Sequence, residues 1–589
     1  MKKTILLLAG TVLLASCSDF LTRTPEANFS SEEYFQSETS LKNYINGFVQ
    51  KYTPSGLDIC TGDAYSDICV TPSSTAFLTD YWDADKQTGW SSDSWNMLYN
   101  VNWYLAHFRE TPGLDEAAMN HYEATGRFWR AYFYYSKVKT FGNVPWYDKP
   151  IDSEDEESLY KGRDDRDVVM LNILEDLNFA CEHLYSSAEW TKGAQINKYI
   201  ALAFKSRVCL YEGTFRKYHS VNPSTQEPWA DKSLQTKFID ECISACEELM
   251  NSNAFTIVNS GNVQTQYRDL FTKETVNRNE IIWAREYSSA LNLGHEITWR
   301  FAAGGYGGSF SGSHDFVRMF LNLDGSRHTA EVEDFVTEMT GRDWRLTQIF
   351  MGPDYTKTKG GVANVKTAPN FAVSRTGYHV CKFTLDDTAY EASASATNAI
   401  PILRYAEVLL NYAEAMWEKG EFNDSVWEKT IKPIRERAGV LGERPTEADP
   451  FLVSYYGITD VDALEIRRER AIELYLEDLR VDDLYRWRQA DLLTRDWYGI
   501  YVPALDVPFD LNNDGVNDIC FYTDKPGNEP GVVYQKAAGD GASWTRAENG
   551  LIKYNVKDRT WEEKKYVRPI PRSAVIINPN LGQNVLWAE

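Results

Sequence analysis

LEIRRERAIELYLEDLRVDDLYRWR, from Leu464 to Arg488, reads as one long helix. No Gly or Pro interrupts it, and Ile472, Tyr475, Leu476 and Leu479 recur at helical spacing as one apolar stripe. Six Arg and seven acidic residues surround that stripe. Pairs such as Glu465–Arg468 and Glu477–Arg480 are three apart, so they neighbour each other on a helix surface. Two readings are open. One is a solvated helix laced with ion pairs. The other is a packing helix whose arginines are tied into buried carboxylate networks. Periodicity does not separate them.

The segment IRRERAIELYLEDLRVDDLYRW resembles the late helix of the SusD/RagB family of surface glycan- and nutrient-binding lipoproteins. That family carries an ERxxEL…EGxRxxDLxRW pattern. Glu469-Arg470, Glu473-Leu474, Glu477, Arg480, Asp483-Leu484 and Arg486-Trp487 match it, and Asp478 stands where Gly is usual. Other segments agree. Arg130-Ala131, Tyr132, Tyr134, Phe141-Gly142 and Val144-Pro145 resemble the family's RAxxYFxLVxxFGxVP segment. The helix ILRYAEVLLNYAEAMWEKGE, from Ile402, has the stripe Ala406, Leu409, Ala413 and Met416, ends at Gly420, and resembles RYAEVLLxYAEA. Trp95, Tyr99 and Asn102 resemble a structural signature. The tail, Tyr566 to Asn584, resembles PIPxxEIxxNPxLxQNPGY, with Val585-Leu586-Trp587 in place of the closing PGY. The resemblance implies a mainly α, tetratricopeptide-like helical scaffold decorated by long loops and a few short strands. It also implies ligand binding on those loops and delivery of the ligand to a SusC-like TonB-dependent transporter, over which the protein forms a lid.

The chain has 589 residues, 43% hydrophobic and 25% charged, a globular composition. Its formal charge of −24 repels phosphate backbones, so nucleic acid is excluded as a partner. Lys2 and Lys3, the apolar run Ile5 to Leu14, and Leu14-Ala15-Ser16-Cys17 read as a secretory leader with a lipobox. Residues 1–16 would be removed, taking the charge from −24 to −26, and Cys17 would carry lipid. Together with the resemblance, this places the protein at the outer membrane, lipid-anchored and facing the exterior. Eight dispersed cysteines remain, without a CxxC pair, and read mainly as buried free thiols. Cys60 and Cys69 are spaced to close a small loop.

Residues 17–30 read as a lipidated tether, 31–260 as an N-terminal helical region and 261–589 as a C-terminal region packed with it as one unit. Ser30 or Ser31 is placed to cap a helix from Glu32 to Tyr52. Residues 53–94 read as a long polar loop, functional because it carries Tyr81, Trp82 and Trp90. Helices follow over Asp93–Arg109, Gly126–Phe141, Asp165–Tyr185, Ile196–Tyr211 and Phe238–Met250. Aromatic rings of the 126–141 helix read as packing. The middle, 261–397, is rich in Gly, Thr and Asn, with a short strand at Ile281–Ala284. Its glycine-rich loop, Gly304 to His314, fits no phosphate-binding pattern and is suited to close approach by a ligand or partner.

Sugar C–H faces stack on exposed Trp and Tyr rings, while Asp, Asn and Arg bond to hydroxyls. Two loop segments offer this: Tyr81, Trp82 and Trp90, and Trp299, Tyr306 and Phe310. An oligosaccharide is therefore the expected ligand. A peptide or other nutrient in the same role, and a surface glycoside hydrolase, stay open. No catalytic motif points to an enzyme; acidic pairs are too abundant to single one out. In DLNNDGVND, Asp510, Asn512 and Asp514 stand two apart, Gly515 allows a tight turn and Asp518 adds a later oxygen. That spacing suits a structural Ca2+ as in the first half of an EF-hand, although position twelve is Phe521. The other reading is an Asx-rich surface turn.

Overall fold

The computed structural model describes residues 35–588 except 188–189, 191–194 and 304–309. The leader, Cys17, the tether, Ser30, Ser31 and Tyr306 lie outside the described residues. The scaffold is helical. Its main helices are α1 (Glu38–Tyr52), α2 (Ser92–His107), α3 (Glu116–Phe141), α4 (Arg166–His183), α5 (Lys198–Tyr218), α6 (Ser233–Asn251) and α7 (Tyr405–Lys419). Local chemistry sets their ends. The Ser37 and Ser40 side chains form a capping box at α1, later than the Ser30 or Ser31 cap expected. Asp115, Asp165 and Asn197 accept backbone N–H groups at the starts of α3, α4 and α5. Gly420, at φ 78°, ends α7.

Neighbouring helices pack in succession: α2 on α3, α3 on α4, α4 on α5, α5 on α6 and α6 on α7. Close approach needs small residues. A Cβ on Gly126 of α3 would fall 2.5 Å from Leu105 Cδ2 of α2, so only glycine permits this spacing. Helix α3 buries residues nearly all round, including Phe128, Trp129, Phe133 and Tyr134, and its rings are core, as the sequence reading has it. One apolar cluster runs from Phe35 to Leu581. The early and late halves are also stitched by Arg207–Glu407, Arg163–Asn584 and Arg480–Asp67.

Two local expectations change. Residues 53–94 are not one loop: they include the short helices Gly56–Gly62 and Ala76–Thr79 and the strand Cys69–Val70. Ser55 and Thr75 supply side-chain caps there. Helix α7 starts at Tyr405 and not at Ile402, because Ile400–Arg404 forms strand β2, antiparallel to β1 (Ile281–Arg285). A run of β-branched and aliphatic residues buried on both faces favours the strand. All eight described cysteines are free and buried, Cys60 and Cys69 among them.

The stretch from Leu464 to Arg488 is not one helix. Helix α8 (Val461–Glu473) ends, and α9 (Arg480–Arg486) begins after a turn in which Leu476 and Asp478 are left-handed, at φ 58° and 62°. Asp478 thus occupies the position where the family usually has Gly, and its backbone adopts the conformation Gly favours. The charge question resolves toward burial. Glu465, Glu469 and Glu473 lie four apart on α8, are buried, and accept from guanidiniums brought by other segments. Arg435 donates to Glu465 and Glu469, Arg345 to Glu469 and Glu473, and Arg404 and Arg437 to Glu473. Glu477 does not pair with Arg480. It takes Arg404 and Lys382, while Arg480 takes Asp67. Burial alone would raise the Glu473 carboxyl; Arg437, Arg404 and Arg345 outweigh it and hold it well below the usual range.

One buried acid lacks such a partner. Asp63 is 1% exposed, accepts the Arg480 backbone N–H at 2.8 Å, and leaves Oδ2 without a partner. Burial, then the Asp478 carboxylate, push its pKa to about 8. The folded chain therefore keeps a proton that an unfolded Asp, with a pKa of about 3.9, releases. Stability from this group is full below pH ~4 and is lost as pH rises toward ~8, by up to about 1.4 kcal/mol per unit. Asp63→Asn holds its neutral form at every pH. The melting temperature of the variant minus that of wild type is expected to rise steadily from pH 5 to pH 8. A flat difference would show that Asp63 is ionised in the fold.

Candidate functional site

The residues 80–87 leave the short helix Ala76–Thr79 as an exposed turn held by its own side chains. Asp83 Oδ1 accepts the N–H groups of Asp85 and Lys86 at 3.0 and 3.1 Å. Lys86 donates to the Tyr81 carbonyl and lies 5.7 Å over the Tyr81 ring. Tyr81 is 68% exposed. Trp82 is half-buried: its Nε1 donates to Gln87 Oε1 at 3.1 Å and its ring meets Phe77 edge-on at 5.6 Å.

The C-terminal segment forms the opposite wall. Trp587 is half-buried, and its Nε1 donates to the carbonyls of Lys564 and Val567 at 2.9 Å each. Lys564 Nζ lies 4.8 Å over the Trp587 ring. Arg572 donates its backbone N–H to the Ala84 carbonyl at 3.0 Å and pairs with Asp85 at 2.8 Å, which closes the two walls on each other. Between them lies a cleft of about 540 Å³ lined by Tyr81, Trp82, Asp83, Lys564, Arg572 and Trp587, among others. Its size is that of a small-ligand site. Ring faces suit the C–H surface of a pyranose; the ammonium, guanidinium and carboxylate suit hydroxyl groups.

The remaining ring candidates sit elsewhere. Trp90 is half-buried and packs against Trp95 at 5.2 Å and Phe141 at 4.9 Å. The chain turns inward there at Gly89, φ 96°, whose carbonyl accepts from Lys137 Nζ. Phe310 is only 9% exposed and packs on Phe301 at 4.8 Å, so it has no free face for a ligand. Trp299 is half-buried on the short helix Ile297–Ala302 and does not line the cleft. Of the predicted rings, Tyr81 and Trp82 come together. Trp587, Lys564 and Arg572 were missed. The signal for Trp587 was present, since it stands where the family's closing PGY is replaced.

Trp95 and Asn102, which the resemblance reads as structural, are tied into the scaffold and also border a groove with Tyr99. Trp95 packs on Phe133, and Asn102 Nδ2 donates to the carbonyls of Tyr147 and Lys149. Tyr99, on the same helix, is half-exposed and lines an apolar groove of about 510 Å³ with Leu159. Next to that groove, Asn580 and Asn578 donate to the carbonyls of Tyr160 and Lys161. They bring up the short helix Arg572–Ile577, whose Ile576 and Ile577 are 72% and 70% exposed. Tyr99, Leu159, Tyr160, Ile576, Ile577 and Val585 are all exposed, and Val575 and Leu586, the chain neighbours of Ile576 and Val585, line the cleft. Asp510, Asn512, Asp514 and Asp518 lie on a separate loop. Among the described residues, no three His, Cys, Asp or Glu side chains form a ready metal cage, and no helix is long and apolar enough to cross a membrane.

A family profile described as the SusD family matches residues 279–587, just over half of the chain. A second, described as starch-binding associating with outer membrane, matches residues 19–210. Among curated proteins, the chain is similar to a SusD-like protein of Formosa agariphila, 22% identical over 294 residues, 47% of this chain. The match spans about half of that relative, 50% of its length. Among solved structures, it resembles a SusD-like protein from Bacteroides fragilis (TM-score 0.68, 21% identity, 96% of this chain and 100% of that one). It also resembles a SusD-like carbohydrate binding protein from the same species (TM-score 0.67, 19% identity, 93% and 100%). At these identities the structural likeness is one of fold.

Proposed function

Because the chain belongs to the SusD family, we propose that it is an outer-membrane lipoprotein that binds an oligosaccharide in the Trp82–Trp587 cleft and passes it to a TonB-dependent transporter. The observation that carries the binding role is the cleft itself. Two indoles and the exposed Tyr81 border one volume of about 540 Å³, with Lys564, Arg572 and Asp83 interleaved. The carbohydrate-binding description of one structural neighbour and the starch-binding description of the matching profile agree in kind. The lipobox ending at Cys17 supports the anchor. The role is capture without turnover. Titration with soluble oligosaccharides, followed by tryptophan emission and by release of reducing ends, tests it. Saturable emission change with no reducing ends is expected; steady release would make the protein a hydrolase.

The transporter half of the proposal draws support from the exposed aliphatic residues that follow the cleft-lining Val575. Ile576 and Ile577 are large aliphatic residues left open on a helix that buries none of its side chains, and exposed patches of this kind mark interaction surfaces. Ile577→Glu places a charge among these exposed aliphatic residues. It is expected to abolish co-purification with the transporter while leaving glycan binding intact. Undiminished co-purification would remove this face from the interface.

A further inference from the structure

The loop before the strand Ile519–Tyr522 is wound around two carboxylates. Asp510 accepts the backbone N–H groups of Asn512, Asp514 and Gly515 at 3.2, 3.2 and 2.6 Å. Asp518 accepts that of Leu511 at 2.9 Å. Asn513 and Gly515 are left-handed, at φ 59° and 88°. These features alone describe an Asx-rich turn. Asn512 does not fit that description. Residues 513–516 are exposed, yet Asn512 is 1% exposed, and neither Oδ1 nor Nδ2 has a partner. Its backbone N–H lies between the two carboxylates, bonded to Asp510 and within reach of Asp518. A buried amide left unsatisfied is costly, and a ligand inside the loop removes that cost.

We propose that this loop binds one calcium ion through oxygens of Asp510, Asn512, Asp514 and Asp518. The donor set is all oxygen, as a hard cation requires, and the positions are first, third, fifth and ninth of an EF-type loop. Asp510 uses three hydrogen bonds of about four lone-pair directions, which leaves capacity for the metal. The acids do not yet form a closed cage, so the ion would draw Asp514 and Asp518 inward. Lys359, on the strand Thr356–Lys359, is the ammonium whose field reaches Asp514 and Asp518, and it competes with the ion. The site is structural: it would pin the strand Ile519–Tyr522 that pairs in parallel with Val533–Lys536.

Calorimetry of calcium into the full mature chain, stripped of metal, tests the proposal. One saturable event is expected, with a dissociation constant of about 10⁻⁴–10⁻³ M, the range of extracellular modules. Asp514→Ala, at an exposed position, is expected to weaken it more than tenfold, and Lys359→Gln to tighten it about threefold. Absence of saturable heat in wild type overturns the proposal. Equal heats in wild type and Asp514→Ala also overturn it, because they would report the diffuse counter-ion atmosphere of an acidic chain. Neither outcome bears on glycan binding.

Discussion

Glu473→Gln is expected to destabilise the fold by about 3–5 kcal/mol, enough to lose most soluble protein. The substitution keeps shape and removes only charge. The Glu473 side chain is fully buried and faces Arg345, Arg404 and Arg437. Arg404 and Arg437 also share Glu280, and Arg345 and Arg435 share Glu469. An amide at position 473 removes the one carboxylate that Arg345, Arg404 and Arg437 have in common and leaves three buried guanidiniums to share the remaining acids, Asp343, Glu469, Glu280 and Glu477. The contrast is Glu563→Gln, whose pair with Arg488 is about half exposed on both sides and should matter by less than about 1 kcal/mol. Urea midpoints of the two variants measure the difference. Equal midpoints would mean that the buried lattice contributes no more than a surface pair.

Trp82→Ala and Trp587→Ala are each expected to weaken oligosaccharide binding by about 30-fold, in addition to the stability cost of the hydrogen bonds and ring contacts each indole makes. Stacking a pyranose on one indole removes roughly 80 Å² of apolar surface from water, worth about 2 kcal/mol at 25 cal/mol per Å². The two rings border one cleft, so the double variant should lose less than the sum if a single sugar touches both. Phe310→Ala and Trp90→Ala should behave differently. Their rings pack on Phe301 and on Trp95 and Phe141, so truncation costs stability, about 2–4 kcal/mol for the largely buried Phe310, and leaves affinity unchanged. Binding isotherms and melting curves for the four variants separate these classes. Loss of affinity in Phe310→Ala alone would move the site to the Trp299 region.

The helical scaffold was legible in sequence because helix ends and stripes are local properties. Asp165, Gly142 and Gly420 sit within a residue of the observed boundaries, whereas the helix read as ending at Tyr211 runs on to Tyr218 and the one read from Gly126 starts at Glu116. The break between α8 and α9 was not legible. Leu474 to Leu479 has no Gly or Pro, and the turn exists because Glu473, Glu477 and Arg480 are pulled to different partners, Arg437, Arg404 and Asp67. Those partners lie far away in sequence, so tertiary pairing overrides local helix preference there. The same limit applies to the cleft. Tyr81 and Trp82 declared themselves as rings in a polar turn, whereas their opposite wall comes from residues 564–588, nearly five hundred positions later. Exposure is a tertiary property, which is why Trp90 and Phe310 looked equivalent to Trp82 in sequence and differ in the fold.

The central claim is that the Trp82–Trp587 cleft captures a glycan. Native affinity electrophoresis of residues 18–589 across a panel of soluble polysaccharides tests it most directly. Retardation by at least one glycan is expected, abolished in Trp82→Ala and in Trp587→Ala and retained in Trp90→Ala. Retardation that survives both cleft variants would contradict the assignment of the site. Absence of retardation by every glycan, with short oligosaccharides also failing to change tryptophan emission, would contradict glycan capture by this chain.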